Sequence, residues 1–381
     1  MITYLPDYLG PCGIFSIAFS EDECTALIAS GLNVIKISTP GDAPASVYTS
    51  VPVPANSTPT CTFTLPEAVY IKLSQLRSFD VVEIDEKNIL RSLYQFESNS
   101  NALITGMACN SNCVMCPCSE RSRMNQKPCR IDKLMEIIRY IPRNAPHITV
   151  TGGEPTLLRD GLFELMQYIN ENLPQTFIQY LTNGRAFADP VFGQNFSNLL
   201  TLKDRVAIPI HGHTAGLHDL ITRSPGSFHQ TMRGIKRLEA SAAELEIRVV
   251  VSRLNFTEMI HISELIIDSF QRITCVNFMG MEMLGNAVKN AAAVWIDYKD
   301  AFSMLKPAID LLVHAEIDVE LYNFPLCCVE RGYWGICTNS ISDYKISYYK
   351  QCEQCKVRSI CGGFFDSTGR YGHLSIIPVN A

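Results

Sequence analysis

The sequence predicts an α/β chain centred on a partial (β/α)6 barrel, with a β-rich N-terminal domain before it and a small cysteine-rich domain after it. Three observations lead there. From residue 102 onward, short β-prone runs alternate with helical patterns, as parallel βα units require. Before residue 98 the apolar runs are short and β-prone. Beyond residue 292, six of the 15 cysteines crowd between Cys327 and Cys361, which marks a metal-stapled tail.

In chain order, residues 1–97 hold the β-prone runs Gly13-Ile-Phe-Ser-Ile-Ala-Phe and Asn33-Val-Ile-Lys-Ile. A Pro/Ser/Thr-rich stretch from Ser38 to Thr64 then reads as loops or a hairpin, and Leu65 to Leu76 as one helix. Residues 98–292 form the barrel, with helices expected near Arg130 to Tyr140, Leu162 to Ile169, Phe228 to Leu238 and Thr257 to Phe270. Residues 293–381 open on a helical pattern from Tyr298 to His314 and lead into the cysteine-rich tail. The sequence holds no internal repeat.

The chemistry begins at Thr105-Gly-Met-Ala-Cys-Asn-Ser-Asn-Cys-Val-Met-Cys, where Cys109, Cys113 and Cys116 can hold three irons of a four-iron cluster and leave the fourth open. Chance places such a spacing about 0.02 times in a chain of this cysteine content, so the triad calls for a metal, iron or zinc. About 35 residues on, His147-Ile-Thr-Val-Thr-Gly-Gly-Glu-Pro-Thr reads as a strand feeding a tight loop. Gly152 and Gly153 let backbone approach a small ligand, and Glu154 offers an acceptor suited to an ammonium group. In barrels such motifs lie at the carboxyl ends of strands, where the chemistry sits.

The triad followed by Gly-Gly-Glu resembles the radical S-adenosylmethionine (SAM) superfamily. The resemblance implies a 4Fe-4S cluster on Cys109, Cys113 and Cys116, with SAM chelating the open iron. It also implies reductive cleavage of SAM to a 5′-deoxyadenosyl radical, which takes hydrogen from a substrate, and an external electron donor. By the same resemblance Met115 packs near the adenine, and Gly152, Gly153 and Glu154 meet the SAM amino group. Thr182 and Asn183, with Gly184, resemble the turn after the third strand that touches SAM. Gly280 and Met281, in a sixth strand, pass beside adenine. Arg248, in the fifth-strand run Glu246-Ile-Arg-Val-Val-Val-Ser, is costly to bury without a partner, either a SAM carboxylate or ribose hydroxyl or a structural ion pair. No catalytic acid or base is assigned.

A second metal site is expected from Cys352-Glu-Gln-Cys355 and Cys361-Gly-Gly-Phe-Phe, since such hooks bind iron-sulfur clusters or zinc. The tail resembles twitch or SPASM extensions, which hold auxiliary 4Fe-4S clusters. A fourth ligand comes from Cys327, Cys328 or Cys337. Family comparison favours Cys327, because Cys328 and Cys337 look peculiar to this chain, as does Cys118.

A narrower resemblance, to the radical SAM maturases of the His-Xaa-Ser system, rests on Ile104 to Pro117, Ile208-Pro-Ile-His-Gly, Leu217-His-Asp, Ser340-Ile-Ser-Asp-Tyr-Lys and Cys361-Gly-Gly-Phe-Phe. It implies modification of a ribosomally made precursor peptide beside a second radical SAM protein. Two other functions share the motifs: a radical SAM enzyme for a non-peptide substrate, and an idle metal-binding partner that presents the precursor. Residues 1–97 are positioned to recognise a substrate.

Hydrophobic residues make up 47% of the chain and the net charge is only -6, so no basic field points to nucleic acid. The N-terminus lacks a signal-peptide pattern and no run of about 18 apolar residues occurs, so no membrane association and a cytoplasmic location are expected. His211, His213 and His218 cluster after the fourth strand. With only Asp219 beside them, loop polarity is their leading reading, ahead of substrate contact by His211 or a further metal.

Overall fold

The computed structural model describes residues 1–5, 8, 10–37, 45–48, 61–63, 67–124, 126–341, 345–370 and 374–380. They divide into two compact units. The first comprises residues 1–103, 129–149 and 160–177; the second comprises 104–128, 150–159 and 178–381.

The first unit contains a seven-stranded sheet made of β1 (Ile2–Tyr4), β2 (Gly13–Ala18), β3 (Val34–Lys36), β4 (Ala45–Tyr48), β5 (Cys61–Phe63), β6 (Val81–Ile84) and β7 (Ile89–Tyr94), in the order β1-β7-β6-β2-β3-β4-β5. Only β2 and β3 pair in parallel, and the helix Glu21–Ala29 makes that crossover. The helix starts where it does because Ser20 and Glu23 close a reciprocal capping box. Phe15, Ile17, Ile35, Val82, Ile84 and Leu90 form the centre of the core on this sheet. Within the Pro/Ser/Thr-rich stretch, β4 and β5 pair antiparallel with Ser46 opposite Thr62, while the rest of it lies outside the described residues. The predicted helix at 65–76 is present as Glu67–Leu73, and its first two positions lie outside the described residues.

A second sheet has eight strands: β8 (Ala102–Ile104), β9 (His147–Thr151), β10 (Phe177–Leu181), β11 (Asp204–Pro209), β12 (Glu244–Val250), β13 (Ile273–Met279), β14 (Asp318–Tyr322) and β15 (Cys337–Thr338). Their spatial order is the chain order, and β10 through β15 pair in parallel. Each crossover therefore leads to the adjacent strand, which curls a sheet toward a barrel; a doubly wound sheet would reverse direction partway. The six predicted βα units are present as β8 to β13, and the pattern runs on. Asp297 caps the amphipathic helix Tyr298–His314, which returns the chain to β14.

Side chains alternate along β12. Leu245, Ile247 and Val249 are buried on one face, while Glu246 and Arg248 share the other. The tail closes on a short antiparallel pair, β16 (Ile346–Ser347) with β17 (Phe364–Phe365). No helix among the described residues is long and apolar enough to cross a membrane.

Candidate functional site

The cysteine triad lies on the irregular segment after β8, strapped by hydrogen bonds on every side. Asn112 and Val114 donate their amides to the carbonyls of Thr222 and Ile221. The side chain of Asn286 donates to the Cys113 carbonyl, its amide N–H donates to the Cys116 carbonyl, and the side chain of Asn290 donates to the Val114 carbonyl. Buried Arg123 donates to the Ser111 carbonyl and to the Asn112 side chain. Arg185 gathers the Asn110 carbonyl with the side chains of Ser111, Ser224 and Gln230. These bonds order a segment that has no helix or strand of its own.

Burial pushes the Cys113 thiol up to about 12 and also raises Cys109, whose sulfur accepts the Ser111 amide at 3.4 Å. Cys116 is raised chiefly by its hydrogen bond to Cys118, which in turn is held down at about 7. Metal binding must displace these protons, as it does at any thiolate site. A tetrahedral zinc site with Zn–S near 2.3 Å would bring its sulfurs to about 3.8 Å from one another. Among the described residues, the only set of three or more ligand atoms within 4.8 Å of one another contains no cysteine.

The Gly152-Gly153-Glu154 loop lies directly against this segment. Thr105 donates its amide to the Thr151 carbonyl, Gly153 to Gly106 and Glu154 to Ala108, each at 2.8 Å. A Cβ on Gly153 would fall 2.1 Å from the Ala108 carbonyl oxygen, and one on Gly152 would fall 2.3 Å from that of Gly106. Gly152 also has a φ of +144°, so both positions require glycine. Glu154 is buried. One carboxylate oxygen accepts from the amide and hydroxyl of Thr156 and the hydroxyl of Thr182, and the other accepts from the Asn183 amide at 2.7 Å. Three residues singled out separately in the sequence thus meet in one hydrogen-bonded knot. Asn183 also donates its side-chain amide to the Asn110 side chain.

Beside this knot lies a cavity of about 370 Å³, lined by Asn110, Thr156, Arg159, Arg185, Gln230 and Arg233 among others. Among the described residues the guanidinium groups of Arg159 and Arg233 have no hydrogen-bond or ion-pair partner, so the cavity presents positive charge.

Arg248 donates to the fully buried carboxylate of Glu246 and lies over the ring of Tyr322, 5.8 Å from its centroid. The structural ion pair expected for Arg248 is thus formed. Glu246 also accepts from Gln179 at 3.0 Å and Asn277 at 2.7 Å, and Arg205 approaches it at 3.6 Å. This polar layer across β10 to β13 was not singled out from the sequence. The available signal was the charge alternation Glu244, Glu246, Arg248, together with a β-bulge at Leu245/Glu246 that only the structure displays. Gly280 packs under Tyr298 and Asn323, and the Met281 carbonyl is taken by the hydroxyls of Tyr298 and Thr368. Met115 is buried.

In the tail, a tight turn at Lys350–Gln354 presents Cys352 and Cys355, and Cys361 accepts the Gly363 amide at its sulfur. Cys337 donates to the Tyr333 carbonyl, and the Cys328 sulfur lies 3.7 Å from the Ser375 carbonyl oxygen. The Cys327 sulfur lies 4.0 Å from that of Cys328, and the hydrogen bond between them holds Cys327 down at about 7. None of the described cysteines is in a disulfide. His211 and His218 are buried and stacked, with the His211 amide donating to Nδ1 of His218. His213 instead lies near Glu258.

Residues 103–266, which run from β8 into the helix after β12, match the model of the radical SAM superfamily. Curated relatives include the AdoMet-dependent heme synthases of Oleidesulfovibrio alaskensis and Methanosarcina barkeri. The first is 29% identical over 39% of this chain and 37% of its own length, and the second is 27% identical over 41% and 44%. The chain thus matches about two fifths of these relatives. Similar solved structures include Streptococcus suis SuiB bound to precursor peptide SuiA, with a TM-score of 0.46 and 14% identity over 58% of this chain and 48% of that one. Another is anSMEcpe with bound AdoMet, with a TM-score of 0.46 and 18% identity over 57% and 60%.

Proposed function

We propose that this protein is a radical SAM enzyme that modifies a ribosomally synthesised precursor peptide of the His-Xaa-Ser type. The observation that carries the radical SAM part is the contact of the cysteine segment with Gly152 and Gly153, whose missing side chains admit the backbone of residues 106–108. The peptide part rests on the motifs from Ile104 to Phe365 that resemble the His-Xaa-Ser maturases.

In this reading Cys109, Cys113 and Cys116 hold the SAM-binding 4Fe-4S cluster. When bound, that cluster supplies the electron that breaks a carbon–sulfur bond of the SAM sulfonium. The chain's own work is positioning. Gly152 and Gly153 bring carbonyls within reach of the SAM amino group, while Glu154 locks that loop to Thr182 and Asn183. Met115, Gly280 and Met281 border the adenine, and Arg248, fixed by Glu246, presents the rest of its guanidinium to a polar ligand. Cys327, Cys352, Cys355 and Cys361 hold an auxiliary cluster, with Cys327 favoured over Cys328 and Cys337 by the family resemblance. Residues 1–97 recognise substrate, 98–292 carry the chemistry and 293–381 the second cluster, with an external reductant and a second radical SAM maturase as partners.

A second reading, a non-peptide substrate, is favoured by the heme synthase relatives and by the free guanidinium groups of Arg159 and Arg233, which suit a ligand rich in carboxylates. The test is 5′-deoxyadenosine formation by anaerobically reconstituted protein with SAM and dithionite, comparing the native chain with Cys113→Ala. Formation that vanishes in the variant supports radical SAM activity. Its absence from cluster-loaded native protein, even with peptide present, turns the case to an idle presenting partner. A mass change in a His-Xaa-Ser repeat peptide supports the first substrate reading. A change confined to a carboxylated tetrapyrrole supports the second.

A further inference from the structure

The loops after β11 and β12 carry a set of ligand-type side chains that radical SAM chemistry leaves unused. His213 follows β11, Glu258 ends the short turn after β12, and His261 lies in the first turn of the helix Met259–Ser269. Their ligand atoms all fall within 4.8 Å of one another. One Glu258 oxygen is 3.1 Å from His261 Nδ1 and 3.6 Å from His213 Nδ1, while the other accepts the Thr257 hydroxyl. His213 Nδ1 is shielded from solvent and has no hydrogen-bond partner among the described residues, although a carboxylate faces it. A buried nitrogen in that state is unusual in a folded protein.

The loops that carry these groups are rigidly joined. Asn255 is fully buried. Its side-chain amide donates to the His211 and Val250 carbonyls, and its oxygen accepts the Ser252 amide and hydroxyl. The Glu258 amide in turn donates to the Asn255 carbonyl. One buried side chain thus fixes the positions of both His213 and Glu258, and His261 follows Glu258 by one helical turn.

We propose that His213, Glu258 and His261 form a binding site for a divalent first-row transition ion, with zinc as the ion used to probe it. Two imidazoles exclude hard cations such as calcium and magnesium, and two histidines with one carboxylate are a ligand set of both zinc and ferrous iron. Bonds of about 2.0 Å to a tetrahedral ion place ligand atoms about 3.3 Å apart. Glu258 already lies 3.1 and 3.6 Å from the two imidazole nitrogens. His261 sits in the first turn of its helix, where the dipole disfavours a cation, and the Glu258 carboxylate at the same terminus offsets it. The three side chains keep 30%, 31% and 54% of their surface exposed, which leaves room for a fourth ligand, either water or a Lewis-basic group of the substrate. The site lies at the carboxyl ends of the parallel strands, the rim from which the cysteine segment also springs.

The test uses cluster-loaded protein, so that the cysteines are occupied, and reads the zinc K-edge after one equivalent of zinc is added. The expected result is one zinc per chain bound with a dissociation constant below about 10 μM, with a nitrogen and oxygen shell near 2.0 Å and no sulfur. His261→Ala, at a half-exposed position that does not threaten the fold, and Glu258→Gln should each weaken binding at least tenfold without changing cluster iron. A parallel loading with ferrous iron, followed by Mössbauer spectroscopy, tells which ion binds more tightly. A sulfur shell near 2.3 Å, or zinc affinity unchanged in His213→Ala/His261→Ala, would overturn the proposal. Because the readout is metal affinity, failure of SAM cleavage leaves it intact, and the reverse holds as well.

Discussion

The contact between Gly153 and the cysteine segment makes Gly153→Ala the most informative single substitution. The added Cβ would sit 2.1 Å from the Ala108 carbonyl oxygen, 2.4 Å from that of Met107 and 2.6 Å from the Ala108 carbonyl carbon. All three are backbone atoms, so no flexible side chain can swing away. Clearing them requires the two segments to part by about 1 Å, which stretches the Gly153-to-Gly106 and Glu154-to-Ala108 hydrogen bonds beyond useful length. Two such bonds at about 1 kcal/mol each, with about 1 kcal/mol of residual overpacking, give a loss near 3 kcal/mol. In a chain of this size that lowers Tm by about 4 °C. A displacement of about 1 Å between cluster and SAM would slow SAM cleavage about 100-fold. The assays are anaerobic thermal unfolding and 5′-deoxyadenosine formation, with Gly216→Ala as control, since a Cβ there meets nothing within 4 Å. If Gly153→Ala matches that control in both assays, the close-approach argument is refuted.

Glu246→Ala should destabilise the chain by about 3 to 5 kcal/mol in urea titration, because Arg248 loses its buried counter-charge, and adding Arg248→Met should recover part of the loss. Arg185→Ala removes four hydrogen bonds, two of them to the segment carrying the triad. It should cost about 2 to 4 kcal/mol, and bound iron should be lost faster to a chelator. His218 is held neutral by burial, its pKa lowered to about 4, and its Nδ1 accepts the His211 amide. The unfolded chain takes up this proton near pH 6.5 and the folded chain does not, so the stabilisation is complete above pH 6.5 and drains away between pH 6.5 and 4. The loss approaches about 3 kcal/mol, and His218→Asn should flatten the slope of urea midpoint against pH across that window.

The parts of this molecule that repeat along the chain were legible in its sequence. The helix at 298–314 and the strands His147–Thr151 and Phe177–Leu181 fall where periodicity puts them, because each buries one regular face. The triad and the glycine pair were legible because they are short and local. The Glu246 layer was not, since it depends on which residues of β12 and β13 stand side by side across a bulge. The grouping of His213 with Glu258 and His261 was hidden for a related reason: it bridges two loops about 45 residues apart, held together through buried Asn255. His218 lay in the same histidine cluster in the sequence, yet it turns inward to serve the His211 amide.

The straps on the cysteine segment bear on how the proposed cluster would be assembled and repaired. Asn112, Val114, Asn286, Asn290, Arg123 and Arg185 hold that segment through bonds that involve no sulfur. The ligands are thus displayed on a preformed template, unlike those of small metal-folded domains that collapse only around their ion. Iron and sulfide delivery to the proposed site would then be an insertion step with little chain-ordering entropy to overcome. On the proposed reading, a chain that lost its cluster to oxygen would keep these straps, so such damage would be a loss of cargo separate from the fate of the polypeptide.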